Sequence, residues 1–180
     1  MDIVLIIYFL LPAAAANIMP VIVKNSFKFL DYPIDFKKKL FDKKRILGDH
    51  KTFRGLIFAI IVAVIISIIQ RLLYKNYLFN AISLINYEEI NILIFGILTG
   101  IAVMFGDSLG SFVKRRMNVK PGETLPLIDQ IGSAIGIGII ILPIYYPSIK
   151  LFLYLTIIWT LGHLFLKYLG YLLKIDEKAF

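Results

Sequence analysis

The sequence predicts an all-α integral membrane protein of five transmembrane helices with two polar cytoplasmic loops. Three observations predict it. Of the 180 residues, 59% are hydrophobic and 18% charged, far from the balance of soluble domains, and the mean hydropathy is +0.81. The charges are gathered into blocks that bound apolar stretches, each able to approach a hydrocarbon core of about 30 Å. The blocks also differ in basic content from side to side. Residues 24–54, residues 107–128 and the tail from Lys167 hold seventeen of the twenty Lys and Arg, leaving Arg71, Lys75 and Lys150 for the other face. By the positive-inside rule the amino terminus is expected outside, with the tail and both long loops in the cytoplasm. The expectation is a single multi-pass domain over 1–180 in the cell membrane.

The first stretch, Ile3 to Val23, begins almost at Met1. It lacks the basic leader and small-residue cleavage site of a secretory signal, so it reads as a retained helix. Asn17, with Pro20 three residues later, is expected to interrupt it in its cytoplasmic half. Two readings stand there: a polar group lining a groove open to lipid, or an interhelical hydrogen bond beside a proline kink.

In the first loop, Lys37-Lys38-Lys39 reads either as a topogenic block or as a contact for anionic head groups of membrane lipids. Pro33-Ile34-Asp35-Phe36 opens a segment in which Leu40, Phe41, Ile46 and Leu47 alternate with lysines, the pattern of an interfacial amphipathic element. The loop closes on Gly48-Asp49-His50-Lys51-Thr52-Phe53-Arg54-Gly55. Amides at Gly48 and Gly55 can cradle phosphate while Lys51 and Arg54 neutralise it; a helix-start cap with basic flanks accounts for the same residues.

The second stretch is Leu56 to Leu73, followed by an outer connector with Leu78 to Ile85, Glu88 and Glu89. The third is Ile90 to Phe105, the fourth roughly Ile131 to Ile144 with a kink expected at Pro143, and the fifth Ile149 to Leu169. Gly96 and Gly100 on the third, with Gly132 and Gly136 on the fourth, form small-xxx-small pairs, which predicts antiparallel contact between these two helices. Trp159 and Tyr145-Tyr146-Pro147 read as interface and packing features, and His163 as an interior hydrogen-bonded histidine.

The run Gly106-Asp107-Ser108-Leu109-Gly110-Ser111-Phe112-Val113-Lys114-Arg115-Arg116 places an acid, two hydroxyls and a basic triplet where the third apolar stretch ends. An acid able to hold a divalent cation beside three cations able to hold phosphate points to a bound polyphosphate. Asp107 follows the third span and Asp129 precedes the fourth, so both carboxylates are expected at similar depth. Acids at a membrane border are functional-site candidates, and Asp129 has a helix cap as its second reading.

The chain has no cysteine, which excludes disulfides, thiolate nucleophiles and zinc-thiolate sites. His50 and His163 have no companion at metal-ligand spacing. The basic charge is accounted for at the membrane, and no nucleic-acid partner is expected. The rival class is a small transporter or channel subunit, which needs polar groups through the bilayer centre; here the acids gather at one face, which favours interfacial chemistry.

In this order, these residues resemble the archaeal lipid cytidylyltransferases, the CDP-archaeol synthase family, which belongs with the phosphatidate cytidylyltransferases. The resemblance runs over Asn17 with Pro20, Pro33-Ile34-Asp35, Arg45 to Gly55, Gly106 to Arg116, Lys120-Pro121-Gly122 and Leu127-Ile128-Asp129-Gln130. It implies attack by the phosphate of an unsaturated isoprenoid diether lipid on the α-phosphorus of CTP, giving a CDP-lipid and pyrophosphate with Mg2+ as cofactor and no protein nucleophile.

Carried over by position, Asp107 and Asp129 look like metal-site acids. Lys114 and Arg115 match the basic pair of the wider signature, and Ser111 its serine. Lys51, Thr52, Arg54, Gly55, Arg116 and Lys120 complete the implied phosphate environment, and Asn17 and Pro20 the lipid groove. The wider signature has acids where this chain has Pro121 and Gly132, and a glycine where it has Lys43. Asp49 is the candidate to supply the missing metal ligand.

Overall fold

Long apolar runs framed by side-chain caps build the architecture. The computed structural model describes residues 2–120, 125, 128–146 and 148–172. Helix α1 spans Ile3–Ile22, α2 Phe53–Leu73, a short α3 Tyr77–Ala81, α4 Ile92–Arg116, α5 Ile128–Ile140, a four-residue α6 Leu142–Tyr145, and α7 Ile149–Leu172. At about 1.5 Å per residue, α1, α2 and α4 reach about 30, 32 and 38 Å. These three are long and apolar enough to cross a membrane, and α5 and α7 contribute shorter apolar stretches over Ile131–Ile140 and Ile149–Gly162. Among the described residues there is no strand, only isolated bridges pairing Pro33 with Thr52 and Lys39 with Arg45.

Caps set where the helices start. Thr52 Oγ1 accepts from the Gly55 amide at 3.3 Å to open α2, and Asn91 Oδ1 accepts from the Leu93 and Ile94 amides at 3.1 and 3.2 Å to open α4. The break between α5 and α6 falls at Ile141, two residues before Pro143, where proline forbids continuation.

Two expectations are corrected. The second polar loop does not begin at Asp107, because α4 runs unbroken through Arg116. No proline interrupts Gly106 to Arg116, and the cations Lys114, Arg115 and Arg116 lie in the last turn, where they complement the helix dipole. Helix α1 is likewise continuous through both Pro12 and Pro20. Pro20 is accommodated because its neighbour is Gly55, where even a methyl group would come within 3.2 Å of the proline ring.

Helix α4 is the centre of the bundle. Gly96 and Gly100 do not face α5, as expected, but lie against α2, where an added Cβ would sit 2.6 Å from the Cα atoms of Val64 and Ile60. The α4–α5 contact is real and antiparallel. It is made by Gly106 against Gly132 and by Ala102 against Gly136. The two pairs on α4 point about 120° apart around its axis, so one helix seats two neighbours.

Several polar side chains at bilayer depth donate to helix carbonyls. The hydroxyls of Ser67 and Thr99 donate at 2.8 Å to the carbonyls of Ala63 and Phe95, and the Gln70 amide donates to the Tyr8 carbonyl. At the end of the bundle where α4 starts, fully buried Tyr87 makes edge-on ring contacts with Tyr8, Tyr74 and Phe95 and closes the bundle. On α2, Ile57, Ile61, Ile65, Ile68 and Leu72 form an exposed stripe, the face offered to lipid.

Candidate functional site

The 24–52 loop folds under the end of the bundle that carries Asp107 because one carboxylate organises it. The side chain of Asp35 is 1% exposed. It accepts from the Lys37, Leu47 and Gly48 amides at 3.0, 3.0 and 3.3 Å, and from Arg45 Nη2 and Nε at 2.8 and 3.2 Å. Burial alone would raise the Asp35 carboxyl, but Arg45 and the three amides outweigh it and hold the group below its ordinary value. Arg45 then reaches on with Nη1 to Asp49 Oδ1 at 2.8 Å. One guanidinium therefore joins the loop's buried hub to an acid that is 64% exposed at the cavity mouth.

A second latch ties the loop to α4. Arg116 Nε lies 3.1 Å from Asp42 Oδ2, its Nη2 donates to the Arg45 carbonyl at 2.6 Å, and its guanidinium stacks 4.9 Å from the Phe112 ring centre. Lys44 Nζ returns a 3.1 Å bond to the Arg116 carbonyl, one of those a helix terminus leaves open.

Because α4 continues past Asp107, Asp107, Ser111 and Lys114 fall at i, i+4 and i+7 on one helix face. Asp107 and Lys114 line a polar cavity of about 870 Å³ with Lys24, Lys28, Asp49, His50, Lys51, Thr52 and Arg54. Asp107 and Lys51 form an ion pair, each side chain partly open to that space. A smaller recess beside it brings in Gly55 and Ser108. Lys24 and Lys28, read from the sequence only as topogenic charge, thus belong to the cavity wall.

The sequence-predicted residues divide by what they hold. The phosphate cradle expected from the Gly48 and Gly55 amides is corrected: the first donates to Asp35 and the second to Thr52, so both serve folding. Arg54, though on the cavity wall, donates to the Ser26 carbonyl at 3.0 Å and pairs with Asp31 at 2.9 Å. Arg115 is buried and donates to the Lys120 carbonyl at 3.1 Å, and Ser111 is buried one turn beyond Asp107. Arg115, Arg116, Ser111 and exposed Lys120 are not among the residues lining the cavity.

Asn17 makes an interhelical hydrogen bond and lines two cavities. Its Oδ1 accepts from Ser133 Oγ on α5 at 3.2 Å, and it lines the polar cavity together with Pro20. It also lines a second, apolar cavity of about 510 Å³ between α1 and α7, walled by Ile7, Leu11, Ala14, Ile158, Gly162 and Phe165 among others.

The side chains of Asp129, Gln130 and His163, together with Pro121, Gly122, Leu127 and the tail beyond Leu172, lie outside the described residues. The backbone of Asp129 follows Ile128, whose carbonyl lies 3.3 Å from the Cβ position of Gly110, so it starts α5 beside the Asp107 end of α4. An acid at position 132 has no room, since its Cβ would meet the Gly106 carbonyl oxygen at 2.7 Å. That contact explains why glycine stands there.

The donor set fits a metal shared with a substrate better than a closed cage. Among the described residues no three His, Cys, Asp or Glu converge, whereas Asp107 and Asp49 both face the cavity. Mg2+ commonly takes one or two carboxylates and completes its shell with water and substrate phosphates.

Reasoning from sequence missed the linking role of Arg45 and the partner Ser133. Arg45 lay in a recognisable motif, but nothing in its spacing from Asp35 signals that they meet. Ser133 differs from other helical serines only by the neighbour that folding brings to it.

A family model described as CarS-like, CDP-archaeol synthase, matches residues 1–180. The CDP-archaeol synthase of Methanococcus maripaludis is 33% identical over 171 residues, covering 95% of this chain and 93% of that protein. That of Sulfolobus acidocaldarius is 30% identical over 175 residues, covering 96% and 94%. A solved structure of an intramembrane enzyme for archaeal membrane lipids biosynthesis superposes with a TM-score of 0.69 at 26% identity, over 88% of this chain and 89% of that one. With the helical frame and the polar cavity beside Asp107 in place, these matches make the chain a member of the CDP-archaeol synthase family.

Proposed function

We propose that this chain transfers a cytidylyl group from CTP to the phosphate of an unsaturated isoprenoid diether lipid, forming a CDP-lipid and pyrophosphate with Mg2+. The observation that carries the reading is the meeting of two unlike cavities at Asn17, one apolar and walled by α1 and α7, the other polar and basic. An amphiphile with an anionic head fits such a pair, and the basic cavity has room for a nucleotide beside that head.

In the reaction, a lipid phosphate oxygen bonds to the α-phosphorus as the bond to the bridging oxygen of pyrophosphate breaks. The nucleophile is already ionised, so no protein base is needed. Two anions must be held in line, and Lys51 and Lys114, which line the cavity with Asp107, supply positive charge for that purpose. Asp107 and Asp49 would hold Mg2+, with Asp129 the further acid that family position supplies. When bound, the metal screens phosphate charge and polarises the group being transferred. Arg54, Arg115 and Arg116 act one step back, fixing the loop and the helix end that carry these groups. The proposed orientation is five spans with the site and tail in the cytoplasm, so CTP arrives from water and lipid sideways from the bilayer.

The test is a nucleotide panel on purified protein. CTP with Mg2+ should raise the melting temperature well above UTP, ATP or GTP and should release pyrophosphate only when a lipid phosphate is present. Equal shifts for all four nucleotides, or pyrophosphate without lipid, would sink the reading.

A further inference from the structure

We infer that Gly162 on α7 determines which apolar tails the protein accepts, by keeping open the wall of the α1–α7 groove in which a tail of the lipid phosphate lies. The inference rests on the amphiphilic substrate proposed above and adds to it a place for the tail and a residue that gauges it.

The groove has a floor and a rim. Leu10 and Trp159 are buried at its base, while Ile7, Leu11 and Phe165 at its edge are between two-fifths and two-thirds exposed, so it opens sideways toward lipid. On α1, Ile7, Leu11, Ala14 and Ile18 follow the i, i+4, i+7, i+11 spacing of one helix face, and Ile158, Gly162 and Phe165 do the same on α7. Its occupant is identified by continuity. Asn17 belongs to both cavities, so a molecule held with its phosphate among the lysines and its tail in the groove passes this residue.

Gly162 differs from the other described glycines of the bundle. At Gly96, Gly100, Gly106, Gly132 and Gly136 an added Cβ would collide with a neighbouring backbone, so glycine there is a packing necessity. At Gly162 an added Cβ meets nothing within 4 Å among the described residues. Packing therefore does not require glycine at this position, and what glycine leaves is space inside the groove. A large side chain there would fill the groove without displacing a helix.

The test uses the full chain in nanodiscs and a diether lipid phosphate with a photoreactive diazirine in one branched tail. In wild type without CTP, labelling should concentrate on α1 and α7 peptides and fall at least fivefold in Gly162→Phe, with Gly162→Ala between them. Kinetically, Gly162→Phe should raise KM for the branched-tail substrate at least tenfold and for a short-tail lipid phosphate less than threefold, with KM for CTP and the melting temperature close to wild type. Labelling spread evenly over the outward faces of α2 and α7, labelling unchanged in Gly162→Phe, or a dimer sealed over the groove would each overturn the inference. Groove labelling in a protein that transfers no cytidylyl group would instead refute only the proposed reaction.

Discussion

The α4–α5 seam and the α1–α7 groove use glycine to opposite ends. At the seam, Gly106 and Gly136 let two backbones approach so closely that a Cβ would sit 2.0 and 1.9 Å from carbonyl oxygens. In the groove, a Cβ added at Gly162 would meet none of the described residues within 4 Å, and the missing side chain leaves a hollow. The same residue type builds a rigid wall in one place and an opening in the other. The difference lies in the neighbour, and it separates a part of the molecule that must not move from a part that must receive a guest. The seam also fixes chemistry, because it holds the start of α5, with Asp129, against the end of α4 that carries Asp107.

The seam should therefore be the more fragile region. Gly136→Leu is expected to have the largest effect on folding, with overpacking that costs about 3 kcal/mol or more, read as a large drop in melting temperature in detergent. A thermally normal Gly136→Leu protein would remove the distinction between seam and groove. Next comes the loop hub. Asp35→Ala leaves Arg45 and three amides without their shared acceptor, an expected loss of about 1.5–3 kcal/mol, measured as earlier protease cleavage of the 24–52 loop while the helices stay folded.

The hub also sets a pH dependence. The Asp35 carboxyl titrates below 3.8 when folded, so its contribution is fully present above that value and is lost as pH falls through the lower folded one. Loop cleavage should stay flat from neutral pH to about pH 4 and rise below it. A rise beginning near pH 6 would point to another group.

Arg116→Ala is expected to cost about 1 kcal/mol, because its partner Asp42 is partly exposed and the ring contact adds little more. Gly162→Ala gives the smallest effect and the opposite sign. It removes backbone freedom from a helix without a clash, so a gain of about 0.5–1 kcal/mol is expected, measured as a slightly higher melting temperature. Destabilisation there would mean that the groove wall is packed after all.

Much of this was legible in the sequence, for reasons that differ by residue. Apolar length and charge placement point to the membrane class, and the composition of the Asp107 run points to the charged cavity that Asp107 and Lys114 line. The reach of α4 was not legible, because a polar stretch after an apolar one reads as loop unless its lack of proline is weighed against its charge. Nor were the partners of Gly96 and Gly100, since a small-xxx-small pair says that something approaches closely but not which helix. Gly48 and Gly55 failed as a phosphate cradle for a related reason: an amide's availability depends on whether Asp35 or Thr52 has already claimed it.

The central claim is that the Asp107 cavity performs cytidylyl transfer, and the most direct measurement follows label from CTP into lipid. Purified protein with Mg2+, diether lipid phosphate and CTP labelled at the α-phosphate should yield a labelled, solvent-extractable lipid. CTP labelled at the γ-phosphate should yield none, and Asp107→Asn should lower incorporation at least a hundredfold while keeping its melting temperature. Incorporation from the γ-label, or an Asp107→Asn protein within about twofold of wild type, would contradict it.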